Sequence, residues 1–209
     1  MGYFGAKLFV WLQDADFYKN LHLEAMKQIP DGKDKKWMDV GCGPGLLARL
    51  AATKGYNVIG IDMDPSMIRE AKKIARNESS SARFEVGDVF RIPPQSADIV
   101  SASSLLATLE DKVGGFHALF EAVKPGGLLL IIEPTDRMTS QAADTLIRSG
   151  SARGKRISGL RLWARARQGR AVDPKMFKTP EAGEIVFTPL LGGLVGAWLI
   201  QKILTKEKI

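Results

Sequence analysis

The stretch Lys36-Trp37-Met38-Asp39-Val40-Gly41-Cys42-Gly43-Pro44-Gly45 decides the fold. An apolar run carrying one acid ends in three glycines at alternate positions, and a stretch of helical character, Leu46 to Lys54, follows at once. This order predicts a buried strand, a tight turn and a helix start. Glycine permits φ > 0 and lets a ligand come close to the backbone. Turns of this kind at the carboxyl end of a strand are where open α/β sheets bind nucleotides.

The details argue against a dinucleotide. The fingerprint G-x-G-x-x-G needs its third glycine three places after the second. Here Leu46 stands at that place and the third glycine comes early, at Gly45. Asp39, two residues before the turn, would repel a pyrophosphate and attract a ligand with positive charge. S-adenosylmethionine (SAM) meets both conditions: it is a nucleoside without phosphate that carries an ammonium and a sulfonium. The alternative is an ordinary Gly-rich turn with an incidental acid.

With 209 residues the chain is expected to form one domain, and 45% hydrophobic and 25% charged residues are ordinary for a globular protein. The single cysteine, Cys42, excludes an intramolecular disulfide and points to a reducing compartment, hence a cytoplasmic protein. Cys42 reads as a small side chain in the turn, not as a nucleophile, because no His lies near it in sequence. No secretory pattern is read at Met1-Gly2-Tyr3-Phe4-Gly5-Ala6, and no metal site is expected. The net charge of +7 is concentrated: between Arg148 and Lys178 ten basic residues face one acid, Asp173, so this segment carries +9 and the remainder −2.

Apolar residues at helical spacing predict one or two helices over 6–29, closed by Pro30-Asp31-Gly32. Tyr18 and His22 are four apart and share a helix face. His22 reads first as a surface residue, and Tyr18 equally as core aromatic or as cover for a ligand. Asn57-Val58-Ile59-Gly60-Ile61-Asp62 is a second strand, ending in an acid 21 residues after Gly41 that can accept from ribose hydroxyls. Asp64-Pro65 caps a helix to Arg76. Arg83–Val86 is a third strand, followed by Gly87-Asp88-Val89, where the acid either meets an adenine amino group or serves a turn. Ala97–Ala102 is a fourth strand with Ser103 and Ser104 after it; a helix over Lys112–Val123, a stop at Lys124–Gly127 and a fifth strand, Leu128–Ile132, complete a β/α alternation. Such alternation predicts a mostly parallel sheet with helices on both faces and ligand at the carboxyl ends, where Asp39, Asp62 and Asp88 all fall.

These residues resemble the class I SAM-dependent methyltransferases, more narrowly their small-molecule "type 11" domain. Met38–Gly45 looks like the first motif, Ile59–Ile68 the second, Gly87–Val89 the adenine-contacting motif, and Val123–Gly127 the segment before the fifth strand. The resemblance implies a Rossmann-like three-layer α/β sandwich. Its seven-stranded, mostly parallel sheet has the order 3-2-1-4-5-7-6, with strand 7 antiparallel. It also implies SAM as cofactor, held by Asp39, Gly41, Cys42, Gly43, Gly45, Asp62, Met63, Asp88, Val89 and Ser103. The fourth motif departs from the family: Ser101-Ala102-Ser103-Ser104 replaces the amino-methylating Pro-Pro signature, and no His follows the strand. No general base is therefore assigned; Tyr18, His22 and Ser104 are the weak catalytic candidates, and His117, mid-helix, reads as structural.

The last third divides into a basic insertion and a tail. The expected organisation is a helical cover (1–32), a SAM-binding core (33–134), a basic insertion or lid (135–180) with helices over 139–149 and 157–167, and a C-terminal β-hairpin (181–209). The basic segment 148–178 suits an anionic acceptor or a membrane surface, with a solvated, mobile face as the equal alternative; its thin aromatic content makes RNA a weaker partner. Ile185–Gln201 is 17 residues without a charge, the lower limit for a membrane helix, but Pro189 and Gly192-Gly193 favour two strands, 184–190 and 194–202. The expected activity is methyl transfer from SAM to a small or lipid-like, amphipathic acceptor, in the cytoplasm or at a membrane periphery. An RNA methyltransferase and a non-catalytic SAM-binding module are the alternatives.

Overall fold

The computed structural model describes residues 3–204; the outermost parts of the expected cover and hairpin, 1–2 and 205–209, lie outside the described residues. Two helices, α1 (Tyr3–Gln13) and α2 (Asp16–Ala25), precede β1 (Lys36–Val40), α3 (Leu46–Thr53), β2 (Asn57–Asp62), α4 (Pro65–Asn77), β3 (Arg83–Val86) and β4 (Ala97–Ser103). Then come α5 (Lys112–Ala122), β5 (Val123–Pro134), α6 (Ser140–Arg148), α7 (Ser158–Arg167), β6 (Ala182–Leu190) and β7 (Val195–Lys202). The sheet has the order β3-β2-β1-β4-β5-β7-β6, with β1 to β5 parallel and β7 antiparallel to both neighbours. This is the Rossmann-like arrangement of the class I methyltransferases.

The near-continuous apolar strands follow from burial on both faces. Successive residues of one strand feed different cores. Trp37, Val58, Ile99, Leu130 and Ile132 pack with α2, α3, α4, α6 and α7. Met38, Val100, Leu129 and Ile131 pack with Phe116 and Phe120 of α5 and with Phe177. Side-chain acceptors start the helices: Asp64 takes the Ser66 N–H at 2.9 Å, Asp111 the Gly114 N–H at 2.8 Å, and Thr139 the Ala142 N–H at 3.1 Å. Each such cap stabilises its helix by about 1 kcal/mol.

One boundary differs from expectation. Lys124-Pro125-Gly126-Gly127 does not separate α5 from the strand but lies inside β5. Val123 already pairs with Ala97, and an irregularity between Ala97 and Ile99 absorbs the extra residues before Leu128 pairs with Ile99. The uncharged tail forms the hairpin β6–β7. The run covers most of both strands: β7 lies inside the sheet with Val195, Ala197 and Trp198 buried, while Pro189 sits on the edge strand β6. Among the described residues no helix is long and apolar enough to cross a membrane.

Candidate functional site

The site begins at the turn between β1 and α3. Gly41, Gly43 and Gly45 have φ of +67°, +52° and +82°. A Cβ on Gly45 would stand 2.4 Å from the Phe84 ring, and one on Gly41 2.8 Å from Leu105 Cδ1. At Gly43 the nearest atom to a Cβ would be Gln13 Nε2, at 3.6 Å, so the backbone there is open. Gln13, at the end of α1, accepts the Leu46 N–H through Oε1 at 3.2 Å. Arg49 of α3 donates to the Pro44 carbonyl at 2.6 Å and to Glu78 at 2.8 Å, which pins the turn from behind. Neither Gln13 nor Arg49 was recognisable in sequence as part of the turn, since each reaches it from a helix.

Two acids stand at this turn, Asp39 and Asp62, and a third, Asp88, lies beyond the end of β3. Asp39 is buried, and its register partner on β4 is Ser101. Trp37 Nε1 donates to Ser101 Oγ at 2.8 Å, and Ser101 donates to Asp39 Oδ1 at 2.7 Å. Asp39 Oδ2 is buried without a hydrogen-bond partner. Burial raises the Asp39 pKa to about 7, with the Ser101 hydroxyl and the nearby Ala48 backbone N–H opposing. Asp62, at the end of β2, accepts the Gly43 N–H at 2.8 Å and the Asp64 N–H at 2.9 Å, tying strand end to turn. Burial raises its pKa too, with those two amides opposing. Asp88 accepts the Phe90 N–H at 3.1 Å, the turn role expected of it. It also lines a cleft of about 440 Å³ with Ile61, Met63, Val86, Gly87 and Ile92. Met63 and Val86 are exposed there, while Val89 is buried beneath. Cys42 is buried, and burial holds its thiol well above the ordinary value, so it stays protonated at neutral pH.

A second cluster lies over the ends of β4 and β5. His22, expected at the surface, is buried instead, because α2 packs its Tyr18–His22 face down onto the sheet. His22 Nδ1 lies 2.7 Å from the Tyr18 carbonyl, which can only accept, so Nδ1 carries the proton. Burial lowers the His22 pKa to about 4, and the neutral ring takes the Ser103 hydroxyl proton on Nε2 at 2.9 Å. Tyr18 is buried, lies tilted against the His22 ring with centroids 4.7 Å apart and meets Trp163 edge-on at 5.2 Å. Burial pushes its phenol up to about 12. Ser104 is buried in the left-handed region, φ +55°. Glu133 is fully buried, accepts the Leu106 and Ala107 N–H groups at 2.7 and 3.2 Å, and has its pKa raised by burial to about 7. Arg167 of α7 is close enough for its charge to act on both Tyr18 and Glu133. Glu133 and Arg167 escaped the sequence reading as site residues: one is a strand-end acid followed by Pro, the other one charge in a basic run. His117 stands on the exposed side of α5.

A sequence profile described as a methyltransferase domain matches residues 31–175. The chain belongs to that family, and its fold places it among the class I SAM-dependent methyltransferases. The ubiquinone biosynthesis O-methyltransferase of Hydrogenovibrio crunogenus is 31% identical over 110 residues, 51% of this chain and 46% of that protein. The demethylmenaquinone methyltransferase of Chlorobaculum parvum is 34% identical over 114 residues, 53% of this chain and 46% of that protein. The chain thus spans about half the length of these relatives. A SAM-dependent methyltransferase of Methanosarcina mazei shares the fold with a TM-score of 0.59 at 20% identity, covering 82% of this chain and 94% of that one. So does a Haemonchus contortus phosphoethanolamine N-methyltransferase solved with SAM, with a TM-score of 0.56 at 21% identity, covering 78% and 41%. The residues present fit SAM: Asp39 Oδ2, buried without a hydrogen-bond partner, suits an ammonium, the open Gly43 backbone admits a close ligand, and the Arg49 guanidinium at the turn is already turned to Pro44 and Glu78.

Proposed function

We propose that this protein methylates a small, amphipathic acceptor seated over the carboxyl ends of β4 and β5. The observation that carries the reading is the convergence of Asp39, Gly43 and Asp62 on one turn, with a buried neutral imidazole behind a serine hydroxyl next to it. SAM, when bound, supplies a methyl group on a sulfonium that a nucleophile can attack. Asp39 would take its ammonium and Asp62 its ribose hydroxyls. Asp88, Met63 and Val89 would border the adenine, and Gly41, Cys42 and Gly45 would shape the backbone beneath it. Tyr18, Ser103 and Ser104 would position the acceptor. His22, neutral and fixed as the Nδ1–H tautomer, would take a proton from the acceptor's nucleophilic atom through the Ser103 hydroxyl. Positioning in line supplies much of the rate in such transfers.

The relatives named for quinone biosynthesis support a small-molecule acceptor. The basic segment favours RNA less than its charge suggested. Lys155 and Arg156 pair with Asp14, and Arg161 pairs with Asp144. Arg148, Arg153, Arg165 and Arg170 remain exposed and would suit an anionic membrane surface that presents a lipid-like acceptor. Incubation with methyl-labelled SAM and fractionated lysate tests the reading. Label is expected in the small-molecule or lipid pool, and SAM or S-adenosylhomocysteine is expected to raise the melting temperature. Label in RNA would favour the nucleic-acid alternative. Ligand binding without any labelled product would favour a non-catalytic module, and no thermal shift with either ligand would sink the proposal.

A further inference from the structure

Helix α7 turns Leu160, Trp163, Ala164 and Arg167 toward the protein, spaced three or four apart, and Arg161 and Arg165 outward. Trp163 is 4% exposed, packs on Phe17 and Tyr18, and its Nε1–H is buried without a hydrogen-bond partner. Arg167 Nε is also buried and unpartnered, one helical turn further on. Buried polar groups in native proteins are nearly always satisfied, and two orphan donors on one helix face need an explanation. Glu133, Tyr18 and Ser103 stand near them, but no acceptor among the described residues comes within hydrogen-bond distance of Trp163 Nε1 or Arg167 Nε. An acceptor group from outside the chain would complete both donors, and a guanidinium favours an anionic one.

Resting on the methyltransferase reading above, we propose that the acceptor substrate carries a carboxylate, which docks against the Trp163 indole N–H and the Arg167 guanidinium. A monoanion matches the site better than a phosphate: one guanidinium faces it, and Glu133 and Asp39 stand nearby as acids. Arg167 is thus a specificity-determining residue in the basic insertion.

The test uses the full chain saturated with S-adenosylhomocysteine and titrated with benzoate, with its neutral isostere benzamide and with inorganic phosphate, read by tryptophan fluorescence and calorimetry. Benzoate is expected to bind at least tenfold more tightly than benzamide and to outcompete phosphate. Arg167→Gln is expected to abolish the preference, Arg167→Lys to keep part of it, and Trp163→Phe to weaken benzoate several-fold. Each variant is expected to hold S-adenosylhomocysteine within twofold of wild type; the Arg167 variants are expected to melt no lower, and Trp163→Phe, which empties buried volume, somewhat lower. Equal binding of benzoate and benzamide, no binding of either, tighter phosphate binding, or a preference that survives Arg167→Gln would overturn the proposal. So would a weakened S-adenosylhomocysteine complex in Arg167→Gln, which would give the guanidinium to the cofactor's own carboxylate. Failure of S-adenosylhomocysteine to bind wild type is a separate outcome that strikes the methyltransferase reading itself, while the benzoate arm is still read without it.

Discussion

Replacing Asp39 with Asn should move stability and cofactor binding in opposite directions. Asp39 is 2% exposed, and burial raises its carboxyl from 3.8 to about 7 in the folded protein. Below pH 4 both folded and unfolded chains hold the proton. As pH rises from about 4 to about 7 the unfolded chain releases it and the folded one keeps it, so the wild type loses stability across that window. Three pKa units correspond to about 4 kcal/mol. Asn does not titrate, and its Oδ1 can still accept from Ser101 on the neighbouring strand. The stability of Asp39→Asn relative to wild type should therefore grow by up to about 4 kcal/mol in favour of the variant between pH 4 and pH 8. Glu133 titrates in the same range but does so in both proteins, and it drops out of the difference. Urea unfolding of the ligand-free proteins at four pH values, with unchanged m, measures this. The same variant should bind S-adenosylhomocysteine about tenfold or more weakly, because a charge-assisted hydrogen bond to an ammonium contributes about 1.5–3 kcal/mol. A stability difference that stays flat with pH would refute the view that Asp39 is held protonated by burial, and undiminished binding would remove it from the proposed ammonium site.

Four further substitutions probe the turn and the acceptor side. Asp62→Ala deprives the Gly43 and Asp64 amides of their acceptor, so the ligand-free protein should lose about 2 kcal/mol, and the thermal shift given by S-adenosylhomocysteine should largely vanish. Gly45→Ala forces a side chain into φ +82° and to 2.4 Å from Phe84; a loss of about 2–4 kcal/mol in chemical denaturation is expected, and a neutral result would show that the Phe84 ring moves aside freely. His22→Ala and Ser103→Ala should each lower kcat about 100-fold with little change in S-adenosylhomocysteine affinity. Because burial holds His22 near pH 4, the His22-dependent part of kcat at saturating SAM should persist down to about pH 5. Asp39 and Glu133, near 7, can add their own acid limb, so the test is whether the ratio of wild-type to His22→Ala kcat stays constant from pH 8 to pH 5, and a ratio that collapses near pH 6.5 would exclude His22 as the base.

Much of this fold is written locally. Gly41, Gly43 and Gly45 with Asp39 announce a strand, turn and helix, because positive φ and backbone exposure are properties of single residues in short range. The charge-free run Ile185–Gln201 with its Pro and paired glycines likewise announces a hairpin, and Asp64-Pro65 a helix start. These signals were enough for the sheet and for the end of it where a nucleoside would lie. The order of the strands rested on the family resemblance. What the tertiary structure alone decided is which distant residues meet there. Asp39 is tied to Ser101 and Trp37 through parallel pairing across 62 residues, a register no local pattern encodes. His22 is buried and neutral only because α2 lies on the sheet and brings it to Ser103, 81 residues on. Trp163 and Arg167 became visible as unpartnered donors once α7 had packed its inner face against Tyr18 and the other charges of its segment had turned outward or found acids. Local propensity is carried by neighbours in sequence, whereas desolvation, which sets these charge states, is a property of everything that packs around a group in space.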